Sequence, residues 1–542
     1  MKRARFTFIL ILSLISATPN FARESSSPLK EARELAIIGR FLEASHVCKE
    51  SMNDLEKDAI IEPLVLLSKL DFEMGRVKSA ERSCNKAVLI LKERRRGISA
   101  LEKARLLNTM ALIRLSQYRL EEAEALCKQA MDFLDGIHSS QPLLRFSVEC
   151  SMMDIHSRKG HFEATMDSCN ELLEETKKLS KWKGPVVARI LSSAIEAKMD
   201  IEDYKEVLHL FEKQREAWLK AFGLDSSPTR LSWAAAAEAA ARLSRFGLSK
   251  SLAIEGEDIL SRNCGPECLE LGRVLEARAL LAQYRDEPQR ARFYAKKARR
   301  IAVNAFGTDH PQSFAANSLL AKIDLNEGRN FESATAVFQR VVEYYEEKDL
   351  TEHPSYARAQ FDLASAVMAG GGSEKLAQKL LANARGSIVE CMGYKTPTYA
   401  RIMSREAQML MGKEEYTLAE KKLEKALAIV QHSQGENSFY AIGIGKALSA
   451  VHAKKGLLPD AAQELERAVE LSSNLLGAEH SATLRYRCDL ALIYAGLFRL
   501  DEAIAILKSS LPKLEERYGK DDHFVEKYRR SLKSLKKESS PY

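Results

Sequence analysis

Asp309 and His310 stand side by side in the stretch FGTDHPQSF. An Asp beside a His is half of a catalytic triad or part of a metal site, but each chemistry needs more. A triad needs a nucleophile within hydrogen-bond reach, and a metal needs three or four converging ligands. The chain offers no unique constellation of either kind, because the motif recurs. EHP stands at 352–354 around His353, EHS at 479–481 around His480, and His523 follows in DDH. The corresponding places elsewhere carry Asp225, Ser226, Ser227, Pro228 and Thr229, then YKTPT at 394–398 and ENSFY at 436–440. Such punctuation reads as a helix-to-helix connection, in which Asp, Ser or Thr caps the incoming helix and Pro suits its first turn. Histidines one helical layer apart are about 10 Å from each other, which spreads them too far to share a metal. No catalytic, cofactor-binding or metal-binding residue is assigned, and the chain is read as non-enzymatic.

Nine cysteines are the other reactive groups, an odd number that leaves at least one unpaired. Cys48, Cys84 and Cys127 each lie four residues after a small residue, Ala44, Ala80 or Ala123, and Cys169 lies five after Ala164. That is a core position, and successive layers hold such thiols too far apart to bridge. Cys264 and Cys268 differ, since they flank a Gly-Pro turn in NCGPECLEL. They are the one candidate disulfide. A metal reading fails for want of a second ligand pair. GIGKALS at 443–449 lacks the earlier glycine of a phosphate loop, with Tyr440 in its place, and AGGGSEK at 369–375 falls at a turn.

What positions these residues is a repeat. Gly393, Gly435, Gly477 and Gly519 stand 42 residues apart, and Gly223, Gly265 and Gly307 keep the same step. Half a period away runs a series of mostly small residues: Ala44, Ala80, Ala123, Ala164, Val207, Ser249, Ala291, Ala334, Ala377, Ala419, Ala461 and Ala503. Twelve units fill the chain from about 29 to 520. Each reads as helix, tight turn, longer helix, with apolar stripes such as Leu490, Ala491, Tyr494 and then Ala503, Leu507, Ser510. The Ala-rich WAAAAEAAARL at 233–243 predicts close helix packing or a groove on the inner face.

The spacing small–x3–large–x2–small at Ala419, Leu423, Ala426 and at Ala461, Leu465, Ala468 resembles the tetratricopeptide repeat. The 42-residue period departs from that family's common unit of about 34 and is similar to the kinesin-light-chain type. The resemblance implies an all-α, right-handed superhelical solenoid of about twelve helix-turn-helix repeats over 29–520. Breaks in register are expected near 92–100 and near 180–185, where LSKWKGP carries a Gly-Pro stop. Residues 521–542 read as a capping helix and tail, with Phe524, Val525, Tyr528, Leu532 and Leu535 at helical spacing. The resemblance further implies a scaffold whose concave groove takes a protein or peptide. An enzyme or carbohydrate-binding module using groove residues is the alternative.

The formal net charge of +7 is a weak field for 542 residues. KERRR at 92–96 and KKARR at 296–300 lie in helical stretches without interleaved aromatic residues, which argues against nucleic-acid binding. MKRARFTFILILSLISATPNFA, residues 1–22, has the basic start, short apolar run and small residues of a secretory signal peptide. Ten apolar residues are too few to span a bilayer. The expectation is an exported, periplasmic or secreted protein without stable membrane insertion and without a cofactor.

Overall fold

The computed structural model describes residues 27–53, 55, 59–93, 99–137, 141–179, 182–223 and 229–538. The expected signal peptide lies outside them, as do residues 94–96 of the first basic cluster and residues 180–181 of the second expected break. Among the described residues the chain forms 25 α-helices and one short 3-10 turn, and no strand. Twelve consecutive helix pairs run from unit 1 (Pro28–Ile37, Phe41–Glu50) to unit 12 (Ser481–Gly496, Leu500–Tyr518). A closing helix, His523–Glu538, follows. The glycines of the 42-residue series end helices: Gly393, Gly435, Gly477 and Gly519 have φ of 75°, 100°, 101° and 84°. In that region a side chain is strained and glycine is not.

The half-period series is the packing seam within each pair. Its members are buried, with one exception: Ala164 is exposed, and the adjacent Thr165, 0% exposed, takes the packing position. Unit 4 is therefore one residue out from the sequence-based register. Cys169 then has the same four-residue offset as Cys48, Cys84 and Cys127, and all four thiols are buried. The Gly-Pro at 184–185 also departs from expectation. It opens the helix Lys183–Asp200 of unit 5 and stops nothing. Gly184 is there for contact, since a Cβ would stand 2.6 Å from the Ala217 carbonyl oxygen and 2.5 Å from the Ala221 Cβ.

The Ala-rich helix is short, Trp233–Arg242. Its seven alanines are at most 4% exposed, so it is a packing element. Because its side chains are so small, Arg273 of unit 7 (Leu269–Tyr284, Pro288–Phe306) reaches over it to Glu196 of unit 5, 2.7 Å away. Trp233 at its start fills the space left by Gly256 on the partner helix Phe246–Asn263, where a Cβ would meet Trp233 Cβ at 2.7 Å.

First helices of neighbouring units pack on one another, as Pro142–Arg158 with Lys183–Asp200 and Trp233–Arg242 with Leu269–Tyr284, and so form an inner wall. Second helices also meet those five units further along: Phe41–Glu50 with Phe246–Asn263, Val77–Glu93 with Pro288–Phe306, and Tyr204–Phe222 with Tyr416–Gln434. The superhelix therefore closes a turn in about five units. Five helices at a spacing of about 9–10 Å put their axes only about 8 Å from the centre. With a helix radius of about 5–6 Å, the bore left over is a few ångström wide.

Candidate functional site

The inner wall is charged. Arg189 pairs with Asp154, Arg273 with Glu196 and Glu270, and Arg358 with Asp200 at 3.2 Å. The Arg401 guanidinium lies over the rings of Phe361 and Tyr440, at 4.6 and 5.7 Å. Arg273 and Glu196 keep 31% and 26% of their side-chain surface accessible although protein surrounds them, as befits groups lining a narrow wet channel. Two wall residues feel that confinement without a close counter-ion. Burial pushes the Glu276 carboxyl up to about 8 and the Lys69 ammonium down to about 8.

Successive turns of the superhelix touch along a polar seam. The tight turn of each of units 1 to 7 meets the helix start of the unit five further on, at sequence separations of 190 to 196 residues wherever a hydrogen bond joins them. Thr229 donates to the Gly39 carbonyl at 2.9 Å, and the Glu202 carboxylate accepts from the Thr398 amide and hydroxyl at 2.7 and 2.6 Å. Ser244 Oγ accepts from the Phe439 amide at 2.8 Å, and Asp286 accepts from the Ser481 amide at 3.3 Å. These turn residues cap helices about 195 residues away. Tyr118, Glu202, Ser244 and Asp286 all hold left-handed φ, 56° to 61°, which costs a non-glycine residue about 1 kcal/mol.

The histidines belong to this seam. His310 is 6% exposed; its Nδ1 accepts from the Gln312 amide, capping its own helix, while Nε2 lies 2.6 Å from the Ser116 carbonyl oxygen across the seam. His480 does the same with the Ala482 amide and the Tyr284 carbonyl. Only the neutral imidazole can accept at one nitrogen and donate at the other. The cap is thus the histidine, where Asp, Ser or Thr was expected; Asp309 points outward to Arg340. His353 caps the Ser355 amide and packs against Phe162, rings 6.0 Å apart. Burial holds both His310 and His353 down at about 4.

A folded value below the unfolded one, about 6.5, means that the unfolded chain takes the proton first. The contribution of each histidine is complete above pH 6.5 and is lost as the pH falls from 6.5 to 4, on the order of 3 kcal/mol each. Urea unfolding at pH 7 and pH 4.5 checks this. The variant His310→Asn/His353→Asn keeps a capping oxygen without a titrating ring, so its stability should fall much less over that interval.

Cys264 closes the helix Phe246–Asn263 and Cys268 precedes the helix Leu269–Tyr284; both are 2% exposed and their sulfurs lie side by side. The Cys268 thiol beside it, together with burial, pushes the Cys264 thiol far above the usual range. Eight of the nine thiols are buried, and only Cys391 is partly accessible. Native protein should therefore show rapid reaction at no more than one thiol per chain. Denatured, unreduced protein should titrate nine if Cys264 and Cys268 are free and seven if they are bridged. Among the described residues no group of three or more His, Cys, Asp and Glu could hold a metal ion. None of the described helices is long and apolar enough to cross a membrane.

The remaining sequence candidates have plain positions. Lys296, Lys297, Arg299 and Arg300 lie on the exposed face of an outer helix, with Lys297 4.7 Å from the Phe293 ring. Gly370, Gly371 and Gly372 form a tight turn, and Gly445-Lys446 sits inside the helix Phe439–Lys454. In the closing helix Val525, Tyr528 and Leu535 are buried, whereas Phe524 is 44% exposed and carries the Arg485 guanidinium over its ring.

The family model for the tetratricopeptide repeat matches residues 444–516, from the middle of unit 11 to the end of unit 12. The last two units are thus similar to tetratricopeptide repeats. No curated protein matches the chain. Solved structures similar to it include a chain of the APC/C hetero-tetramer Cut9–Hcn1, at 13% identity over 94% of this chain and 98% of that one, with a TM-score of 0.46. Another is a putative kinesin light chain of Podosopora anserina with nearly identical repeats, at 21% identity over 39% and 96%, TM-score 0.29. A third is a Rap protein complexed with competence and sporulation factor, at 12% identity over 81% and 98%, TM-score 0.31. Within the helical array the seam residues Tyr118, Glu202, Ser244 and Asp286 escaped the sequence reading. Their signal is a residue other than glycine at the turn position where Gly75, Gly160 and Gly456 stand.

Proposed function

We propose that the protein is an exported, non-enzymatic scaffold that holds a partner protein or peptide against the charged inner wall. The observation that carries this reading is the wall itself: first helices from unit 2 to unit 10 contribute paired and unpaired charges to it, with no single constellation set apart. A bore of a few ångström admits side chains, not a polypeptide, so the partner reaches the wall where the polar seam parts. Polar contacts suit a reversible opening, because each group released exchanges a protein partner for water at a net cost of about 1 kcal/mol.

In-cell photo-crosslinking tests the reading. Probes at Glu276 and Lys69 report the wall, and probes at Arg299 and Leu418 report the exposed outside. Adducts from the wall positions with one defined protein support it; adducts from the outside alone overturn the groove as the site. Fractionation of untagged cells tests export, and retention of the whole population in the cytosol overturns it. The alternative of an enzyme or sugar-binding module has no observation in its favour.

A further inference from the structure

Each of the twelve units has a left-handed residue at its tight turn, and in six of them it is not glycine: Tyr118, Glu202, Ser244, Asp286, Glu414 and Phe498. The first four are covered. Tyr118 packs on His310, ring centroids 5.7 Å apart, and the other three accept from helix-start amides five units on. Among the described residues no unit stands five beyond Glu414 or Phe498. Phe498 holds φ of 62° while 89% exposed, the most exposed large apolar side chain among the described residues. A bulky ring in that conformation is strained, and here no intrachain contact compensates. Leu457, at the turn of unit 11, is also exposed, at 40%.

We infer that the uncovered turns of the last units, Glu414, Leu457 and Phe498, form a docking edge for a second copy of this chain stacked end to end. The edge continues the interface that already joins superhelical turns within the chain. That interface has one requirement on its other side, a row of helix N-termini one unit apart. The first units of another copy present such a row, with no seam contact from a unit five earlier among the described residues. Among these helix starts, those after Ser27, Ile60 and Gln141 lack a side-chain cap and Ser99 supplies one; among the covered starts, Ser232 and Cys268 supply none, whereas His310, His353, Thr396, Ser438 and His480 do. Uncapped amides are the groups that a carboxylate such as Glu414 serves, as Glu202 serves Thr398. The contact is head-to-tail, so association is open-ended and does not stop at a symmetric pair. This goes beyond the scaffold reading and does not depend on it.

The test is light scattering with sedimentation velocity on the full chain over a range of concentrations, with Phe498→Gly as the decisive variant. Glycine removes the ring and relieves the backbone, so the variant should fold with an unchanged or higher melting temperature. Its self-association should weaken by about tenfold or more, the loss typical of a central aromatic anchor. Glu414→Lys should weaken it in the same direction. Tyr118→Gly, at a covered turn, should lower the melting temperature and leave association unchanged. A monomer at every concentration overturns the inference, as does association that Phe498→Gly leaves intact.

Discussion

Replacing Glu202 by alanine is expected to lower the stability of the folded chain by about 3 kcal/mol. The side chain is 6% exposed, and its two oxygens take the Thr398 amide and hydroxyl from unit 10 (Pro397–Gly412, Tyr416–Gln434). Arg358 stands 3.9 Å from one of them. Truncation leaves a buried amide, a hydroxyl and part of a guanidinium without their acceptor, and a buried group left unsatisfied costs more than the mean worth of a hydrogen bond. Glu202→Gly loses the same contacts but relieves the left-handed backbone, so it should be about 1 kcal/mol less harmful than the alanine. Urea unfolding measures both. Hydrogen exchange should localise the loss to the turn of unit 5 and the helix start of unit 10, and equal losses in the two variants would remove backbone strain from the account.

Gly75→Ala should be at least as damaging. Gly75 has φ of 77°, and an added Cβ would lie 2.2 Å from the Glu267 carbonyl oxygen of the loop that crosses the seam. Carbonyl and turn are both backbone, so the overlap is relieved only by moving units 2 and 7 apart. The expected loss is about 3 kcal/mol or more, with increased exchange around Cys268, whose sulfur lies 4.0 Å from the Glu73 carbonyl. Gly160→Ala is the control. It stands at the same turn position, with φ of 85° and nothing within 4 Å of the added carbon, so only the conformational cost of about 1 kcal/mol applies. Thermal unfolding of the pair separates close contact from backbone strain, and similar losses would refute the close approach at Gly75.

Both variants bear on how the array holds together. A solenoid whose units touch only their neighbours has a stability that sums over units and adjacent interfaces. Here Glu202 and Gly75 join units five apart, so damage at one turn should reach a helix start about 195 residues away. The seam therefore adds coupling between units five apart to the coupling between neighbours.

Much of this was legible in the sequence because it is local. The glycine series marks helix ends, since only glycine takes that conformation without strain. The small-residue series marks close helix pairs, since a methyl or hydrogen is what lets two helices approach. Ala164 misled by one residue because Thr165 is nearly as small and the period tolerates the slip. The Gly-Pro at 184–185 misled because the same dipeptide can end one helix or begin the next, and packing of Gly184 on Ala217 decides between them.

His310 shows where the sequence stops. Its place at a helix start is written in the repeat. That it caps with Nδ1 and grips Ser116 with Nε2 is not written there, because Ser116 is 194 residues away. By itself the sequence determined the unit: helix, turn, helix, twelve times, each with an apolar stripe that only a neighbour can cover. The tertiary structure decided the pitch, and with it the narrow charged bore, the seam and the uncovered edge at Phe498. Pitch is the sum of small rotations between successive units, set by side chains such as the alanines at 234–241. A periodicity read along the chain fixes the step between units, and not the angle.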